Sequence, residues 1–332
     1  MKKQPLLYSF FLVLLSMYTY GQKPQNKLVK LSNNAPTSSE SALFGKNFIS
    51  TGMFERDFTM SADGNHLFYT VRLNGNVSAI VFSEFQSGNW TRPQVASFSG
   101  HYKDIEPMFH PDGNKLFFVS NRPVENETKA SDYNIWYVKK TEDGWSEPVN
   151  PGAPLNTEQN EFYPSFTKDG TIYFCTEYDD SRGGEDLYYC TYKNGTYQPP
   201  QNMGDSINSK AGEYNAFIDP EGSWIMYNTH IEGDGYGSGD IYIAFKDADG
   251  AWNKPINMGP EINSPYFEYC PSLTPDGKYL FFTSQRINPL LLQKPVRFKD
   301  MKKIHNEPKN GNGDLYWIDA GIIEKLRKKK FP

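Results

Sequence analysis

At 332 residues the chain is long enough for one large repeat domain. Its 15% aromatic content, with 27 Gly, 23 Pro and little helical periodicity, points to an all-β fold. A net charge of −5 provides no broad basic surface, which argues against nucleic acid or an anionic membrane as a principal partner.

Residues 1–21 read as a cleaved export signal: Lys2 and Lys3, an apolar run from Leu6 to Met17, and a small-residue cleavage site at Thr19-Tyr20-Gly21. A retained amphipathic anchor is the alternative. Cleavage removes two Lys and no acid, so the net charge moves from −5 to −7. No Cys follows the apolar run to carry a lipid, and no later run is long enough to span a bilayer. The expected location is therefore the periplasm or the exterior, and the expected state a monomer. Residues 22–42, polar and aperiodic, read as a flexible lead-in.

From residue 43 the chain repeats. Each copy opens on an acid: Glu55, Asp104, Glu161, Glu213 and Glu268, at intervals of 49, 57, 52 and 55. Six residues before each acid stands an apolar residue followed by Ser or Asn, as in Ile49-Ser50, Phe98-Ser99, Leu155-Asn156, Ile207-Asn208 and Ile262-Asn263. A first strand leads to a turn of the Pro111-Asp112-Gly113 type, in which Pro presets φ, Asp bonds nearby backbone and Gly closes the turn. An aromatic second strand follows, such as Leu116-Phe117-Phe118, apolar on both faces and so expected to be buried on both. The third strand opens as Asn134-Ile135-Trp136, Asp186-Leu187-Tyr188, Asp240-Ile241-Tyr242 or Asp314-Leu315-Tyr316, while the first copy departs with Ser78-Ala79-Ile80. An aromatic residue and a Pro three positions on (Trp90 and Pro93, Trp145 and Pro148, Tyr197 and Pro200, Trp252 and Pro255) place an outermost fourth strand, because Pro lacks a ladder donor.

This spacing fits the ~40–50 residues of a propeller blade. The last copy lacks Trp-x-x-Pro, and Leu43–Ser50 precedes the first acid as a fourth strand precedes the others. The expectation is a single β-propeller of four-stranded blades over 43–318, five in number with six as the alternative, closed by the N-terminal strand. Residues 319–332 read as a short helix with a basic tail.

The Pro-Asp-Gly turn, the aromatic strand and the Asp-Ile-Tyr strand resemble the TolB-type β-propeller repeat over nearly all of 43–318. The resemblance implies the fold. TolB itself is a six-bladed periplasmic propeller that works through protein contacts; this chain departs from it in having five repeats and no room for its extra α/β domain. A partner therefore does not carry over.

In such a blade the five leading acids ring one channel mouth, and Arg72, Arg122, Arg182 and Arg286 reach the same face. They read as a structural ring of ion pairs or turn caps, with a cation site as the alternative. Two residues after each acid stand Asp57, Glu106, Tyr163, Asn215 and Cys270, a set with no evident consensus. Asp57 and Glu106 are candidates for the carboxylate pair of a glycoside hydrolase. Tyr163 and Asn215 join them as ligand-binding candidates. Gly-x-Ser-x-Gly, His-Glu-x-x-His and Cys-x-x-Cys are absent, and the five His are scattered, so no cofactor and no metal site is expected. A weak alternative is Ca²⁺ near Asp234 and Asp240, in a loop whose spacing is not that of an EF-hand. The insertion Ile287–Asn312 carries Lys294, Arg297 and Lys299 beside Leu290–Leu292 and Phe298, and is a candidate grip on an acidic glycan or a partner protein. Cys175 and Cys190, on neighbouring strands, are a candidate disulfide. The reading is an exported propeller that binds an envelope or extracellular protein, or a glycan, with a glycan-active hydrolase as the alternative.

Overall fold

The computed structural model describes residues 35–37, 39–73, 75–124, 132–292 and 295–331. The proposed signal, most of the lead-in and Lys294 lie outside them. Five four-stranded antiparallel sheets form a ring, a five-bladed β-propeller. The innermost strands are Phe54–Met60, Asp104–Phe109, Phe162–Phe166, Glu213–Ile218 and Glu268–Leu273. Each packs against the innermost strand of the next blade, and the fifth packs against the first, so they surround a central axis.

The fifth blade is completed by Ala42–Leu43, paired antiparallel with Asp314–Asp319 in the register Ala42↔Trp317 and Leu43↔Tyr316. Phe44 and Ile49 continue that seal: Phe44 packs edge-on against Phe281 and Trp317, and Phe58 of the first blade stacks on Phe281 at 3.8 Å. The second strands are apolar on both faces because both faces meet a neighbouring sheet, and Leu116, Phe117, Phe118 and Val119 are all buried. Each such side chain contributes about 1.5–3 kcal/mol on burial. The outermost strands are short and begin directly after the recurring prolines, at Gln94, Val149, Gln201 and Ile256, with the aromatic residues in the hairpins that lead to them.

The recurring motifs have local causes. In four turns the Asp accepts the backbone N–H two residues on (Asn65, Asn114, Thr171 and Lys278); where Glu221 replaces it, Asp219 accepts from Ser223 instead. The Ser or Asn after the apolar residue clamps the third strand: Asn156 bonds both N–H and C=O of Ile135, Asn208 those of Leu187, and Asn263 those of Ile241. Ser50 does the same for Leu315.

The disulfide expectation is corrected. Cys175 lies opposite Leu187 and Cys190 opposite Ile172, so the register separates the two along the sheet, and all three cysteines are free and buried. Helices Phe298–His305 and Gly321–Lys330 are the longest, and among the described residues none is long and apolar enough to cross a membrane.

Candidate functional site

The five leading acids are buried at the start of the innermost strands, and each is held by its own repeat. Glu55, Glu161, Glu213 and Glu268 accept from the hydroxyl and backbone N–H of Thr51, Thr157, Ser209 and Ser264, four residues earlier. Asp104 accepts from Ser99 Oγ and the Gly100 N–H. Arg122 bonds Asp104 at 2.7 Å and the Phe98 carbonyl; Arg286 lies 3.4 Å from Glu268 and bonds the Ile262 carbonyl. Arg182 pairs instead with Asp205, and Arg72 lies over the ring of Phe54. Burial pushes the carboxyls of Glu55 and Glu161 up to about 7, against the hydrogen bonds from their threonines.

Two residues further on, the set that had no evident consensus acquires one. Asp57, Glu106, Tyr163, Asn215 and Cys270 all adopt left-handed backbone, with φ of 64°, 60°, 53°, 53° and 53°. Each sits at a break in register between the first and second strands. Each is thus a bulge on an innermost strand that re-aims one residue toward the axis. Such backbone costs about 1–2 kcal/mol per residue without glycine, and Glu, Tyr and Cys lack the local hydrogen bonding that eases Asp and Asn into it.

The side chains repay part of that strain across the blades. Asp57 accepts from the backbone N–H of Glu106 at 3.2 Å, and Glu106 in turn from the N–H of Tyr163 at 2.7 Å. Arg56 lies between the two acids: Nε bonds Asp57 at 2.6 Å, and Nη2 bonds Glu106 at 2.7 Å and reaches Cys270 Sγ at 3.3 Å. Asn215 Nδ2 donates to the same Glu106 oxygen at 3.2 Å, and Tyr163 Oη to the Pro271 carbonyl. Asp57 and Glu106 are 1% and 3% exposed. Burial pushes the Glu106 carboxyl up, and Arg56 beside it pulls the other way. Arg56 lies between the two carboxylates and bonds both; Asp57 is turned into the wall, while Glu106 keeps one edge on the cavity.

Above this floor opens a cavity of about 300 Å³. Arg56 and Glu106 line its base, Arg72 and Lys103 one side, Glu185, Tyr214 and Asn215 another, with Tyr133 and Phe162 between. Asp57 and Tyr163 do not line it. On the side of the fourth and fifth blades the mouth is filled: Phe267 and Phe54 lie against Gly239 and Gly313, where a Cβ would stand 2.3 Å and 2.6 Å from their rings. Burial raises the Glu185 carboxyl, with a further push from Glu177.

The other candidates lie elsewhere. Among the described residues of the insertion, none lines the central cavity: it packs beside Gly52, whose carbonyl accepts from Asn310 and Asn312. Arg297 is spent on Asp300, and Arg297 and Lys299 are exposed. The described residues of the insertion therefore lie apart from the cavity. At the glycine-rich loop, the Asp240 carboxylate accepts the N–H groups of Tyr236 and Gly237 and the Asn257 amide, and Asp234 contributes its carbonyl to Tyr242 and Asn257. These bonds tie the loop to the start of its third strand, and among the described residues no group of three or more His, Cys, Asp or Glu is placed to hold a metal ion.

Arg56, Lys103, Tyr133, Glu185 and Tyr214 escaped the sequence reading. Their signal was the disagreement of flanking positions: Arg56 stands where other copies have Ile105, Phe162, Tyr214 and Tyr269, and Lys103 where they have Phe54, Asn160, Gly212 and Phe267.

No protein-family model and no curated protein matches the chain. Among solved structures it is similar to TolB from Acinetobacter baumannii (12% identity, 80% of this chain and 56% of that one, TM-score 0.43). It is also similar to the α-L-arabinofuranosidase PaAbf62A from Podospora anserina, solved with cellotriose (12% identity, 86% and 98%, TM-score 0.49). A third is an α-L-arabinofuranosidase from Lactobacillus brevis (11% identity, 82% and 92%, TM-score 0.49). At these identities and TM-scores none of them assigns a role to a residue of this chain.

Proposed function

We propose that this chain is an exported binding propeller whose channel mouth receives the end of a glycan. The observation that carries the reading is a preformed, polar and aromatic cavity set on a floor that is already bonded to itself. Arg56, Asp57 and Glu106 satisfy one another and the backbone of the next blade, so the floor is rigid before any ligand arrives. Rigidity lowers the ordering cost of association. Tyr133, Phe162 and Tyr214 offer apolar surface, and Arg72, Lys103, Glu185 and Asn215 offer hydrogen-bonding groups, the usual mixture of a small-ligand site. Export rests on the leader read at residues 1–21.

The hydrolase alternative needs one carboxylic acid and one carboxylate facing the same ligand. Asp57, turned into the wall, weighs against it, while Glu106 keeps one edge on the cavity. Screening the full chain against a glycan array tests the proposal. Binding that is lost in Tyr214→Ala is the expected result, and release of reducing ends that disappears in Glu106→Gln would replace binding by catalysis.

A further inference from the structure

The copies that disagree around the mouth also differ in charge, and that difference carries a ligand class. Arg122 and Arg286 follow their second strands and are consumed by Asp104 and Glu268 together with the carbonyls of Phe98 and Ile262. Arg72, at the end of the second strand of the first blade, is not: Glu55 is held by Thr51, and the Arg72 guanidinium lies 5.8 Å above the Phe54 ring and lines the cavity. Lys103, the one cation directly before a leading acid, lines the same side. The ion pairs among the described residues that involve Asp and Glu of this mouth engage Arg56, Arg122 and Arg286, and neither Arg72 nor Lys103. Arg56 cannot attract an anion, since two carboxylates already surround it. The positive pole of the cavity is therefore its Arg72–Lys103 side, and the facing side carries the acceptor Glu185 and the amide of Asn215.

We infer that the cavity takes the terminal hexuronate of an acidic glycan, with its carboxylate against Arg72 and Lys103, its hydroxyls toward Glu185 and Asn215, and its ring between Tyr133, Phe162 and Tyr214. The inference rests on the glycan-binding reading above and adds the sugar class. About 300 Å³ lies at the small end of ligand cavities and suits one ring. The floor of Arg56 and Glu106 closes the way down the axis, so the sugar enters end-on. A guanidinium binds a carboxylate through charge-assisted, bidentate hydrogen bonds, and esterification removes that partner while leaving the ring.

The test is calorimetric titration of the full chain with an oligogalacturonide, its methyl ester and a neutral galacto-oligosaccharide of equal length. The free acid should bind at least about tenfold more tightly than the ester, with a preference that weakens as salt rises. Arg72→Gln and Lys103→Gln should each erase most of that preference, weakening the free acid far more than the ester, and Arg72→Lys should restore part of it. Unchanged thermal unfolding of these variants verifies that the fold is intact. Equal affinity for acid and ester overturns the hexuronate inference and leaves glycan binding standing, whereas no binding of any of the three overturns the inference and counts against the reading beneath it. Equal affinity for a blocked glutamyl peptide would assign the cations to a protein partner and also overturn it.

Discussion

Arg56 is the residue on which the mouth turns. Its guanidinium holds two buried carboxylates on neighbouring blades, and removing one partner of such a cluster leaves charge without compensation. Arg56→Met should therefore cost about 3–5 kcal/mol in urea unfolding, far more than the loss of an exposed pair such as Arg297–Asp300. The disagreement of residues 57, 106, 163, 215 and 270 among the copies was visible in the sequence. Their shared left-handed backbone was not, because such positions are ordinarily recognised by glycine and none is glycine here. The bulge is imposed by inward packing of five strands around one axis, which no single repeat encodes.

At the scale of the element, the third strands are tied at their outer ends by a side chain from the next segment. Asn263 accepts the Ile241 N–H and donates its amide to the Ile241 carbonyl, which also accepts from the Met258 N–H. Asn263→Ala should lower stability by about 2–3 kcal/mol, seen as a shifted urea midpoint with an unchanged slope. Free, buried thiols on these strands give a second expectation: a thiol reagent should modify none of Cys175, Cys190 and Cys270 in the folded protein and all three after denaturation, without prior reduction. Strand order and the turn chemistry were legible from the repeat. The pairing of cysteines was not, since it depends on a register that sets Cys175 three positions along the strand from Ile172, the residue opposite Cys190.

At the scale of the whole molecule, closure depends on residues far apart in the chain. A chain that begins at Thr51 lacks Ala42–Leu43 and the Phe44 and Ile49 packing, and it exposes the edge of Asp314–Asp319. It should elute as aggregate in size exclusion and lose cooperative unfolding. Buried acids predict the pH response. Glu55, Glu161 and Asp314 are raised to about 7, all chiefly by burial. Between about pH 4.5 and 7 these three hold protons in the folded state that the unfolded chain has released, so stability is greatest on the acid side and declines as pH rises. Burial pushes His110 below its usual range, and it opposes this trend in the lower part of that window, one group against three carboxyls, with Glu185 and Glu213 also raised by burial. The melting temperature should be about 5 °C or more higher at pH 5 than at pH 8 by scanning calorimetry.

The linear order of residues already specified a ring of five four-stranded blades, the strand that seals it and the turns between strands. Those features rest on local turn chemistry and on an apolar pattern repeated five times. What the mouth contains was decided only in the tertiary structure. Which cation is neutralised, which acid faces the wall and where Phe54 and Phe267 leave a cavity open are relations between blades about fifty residues apart, and only the closed ring brings them together.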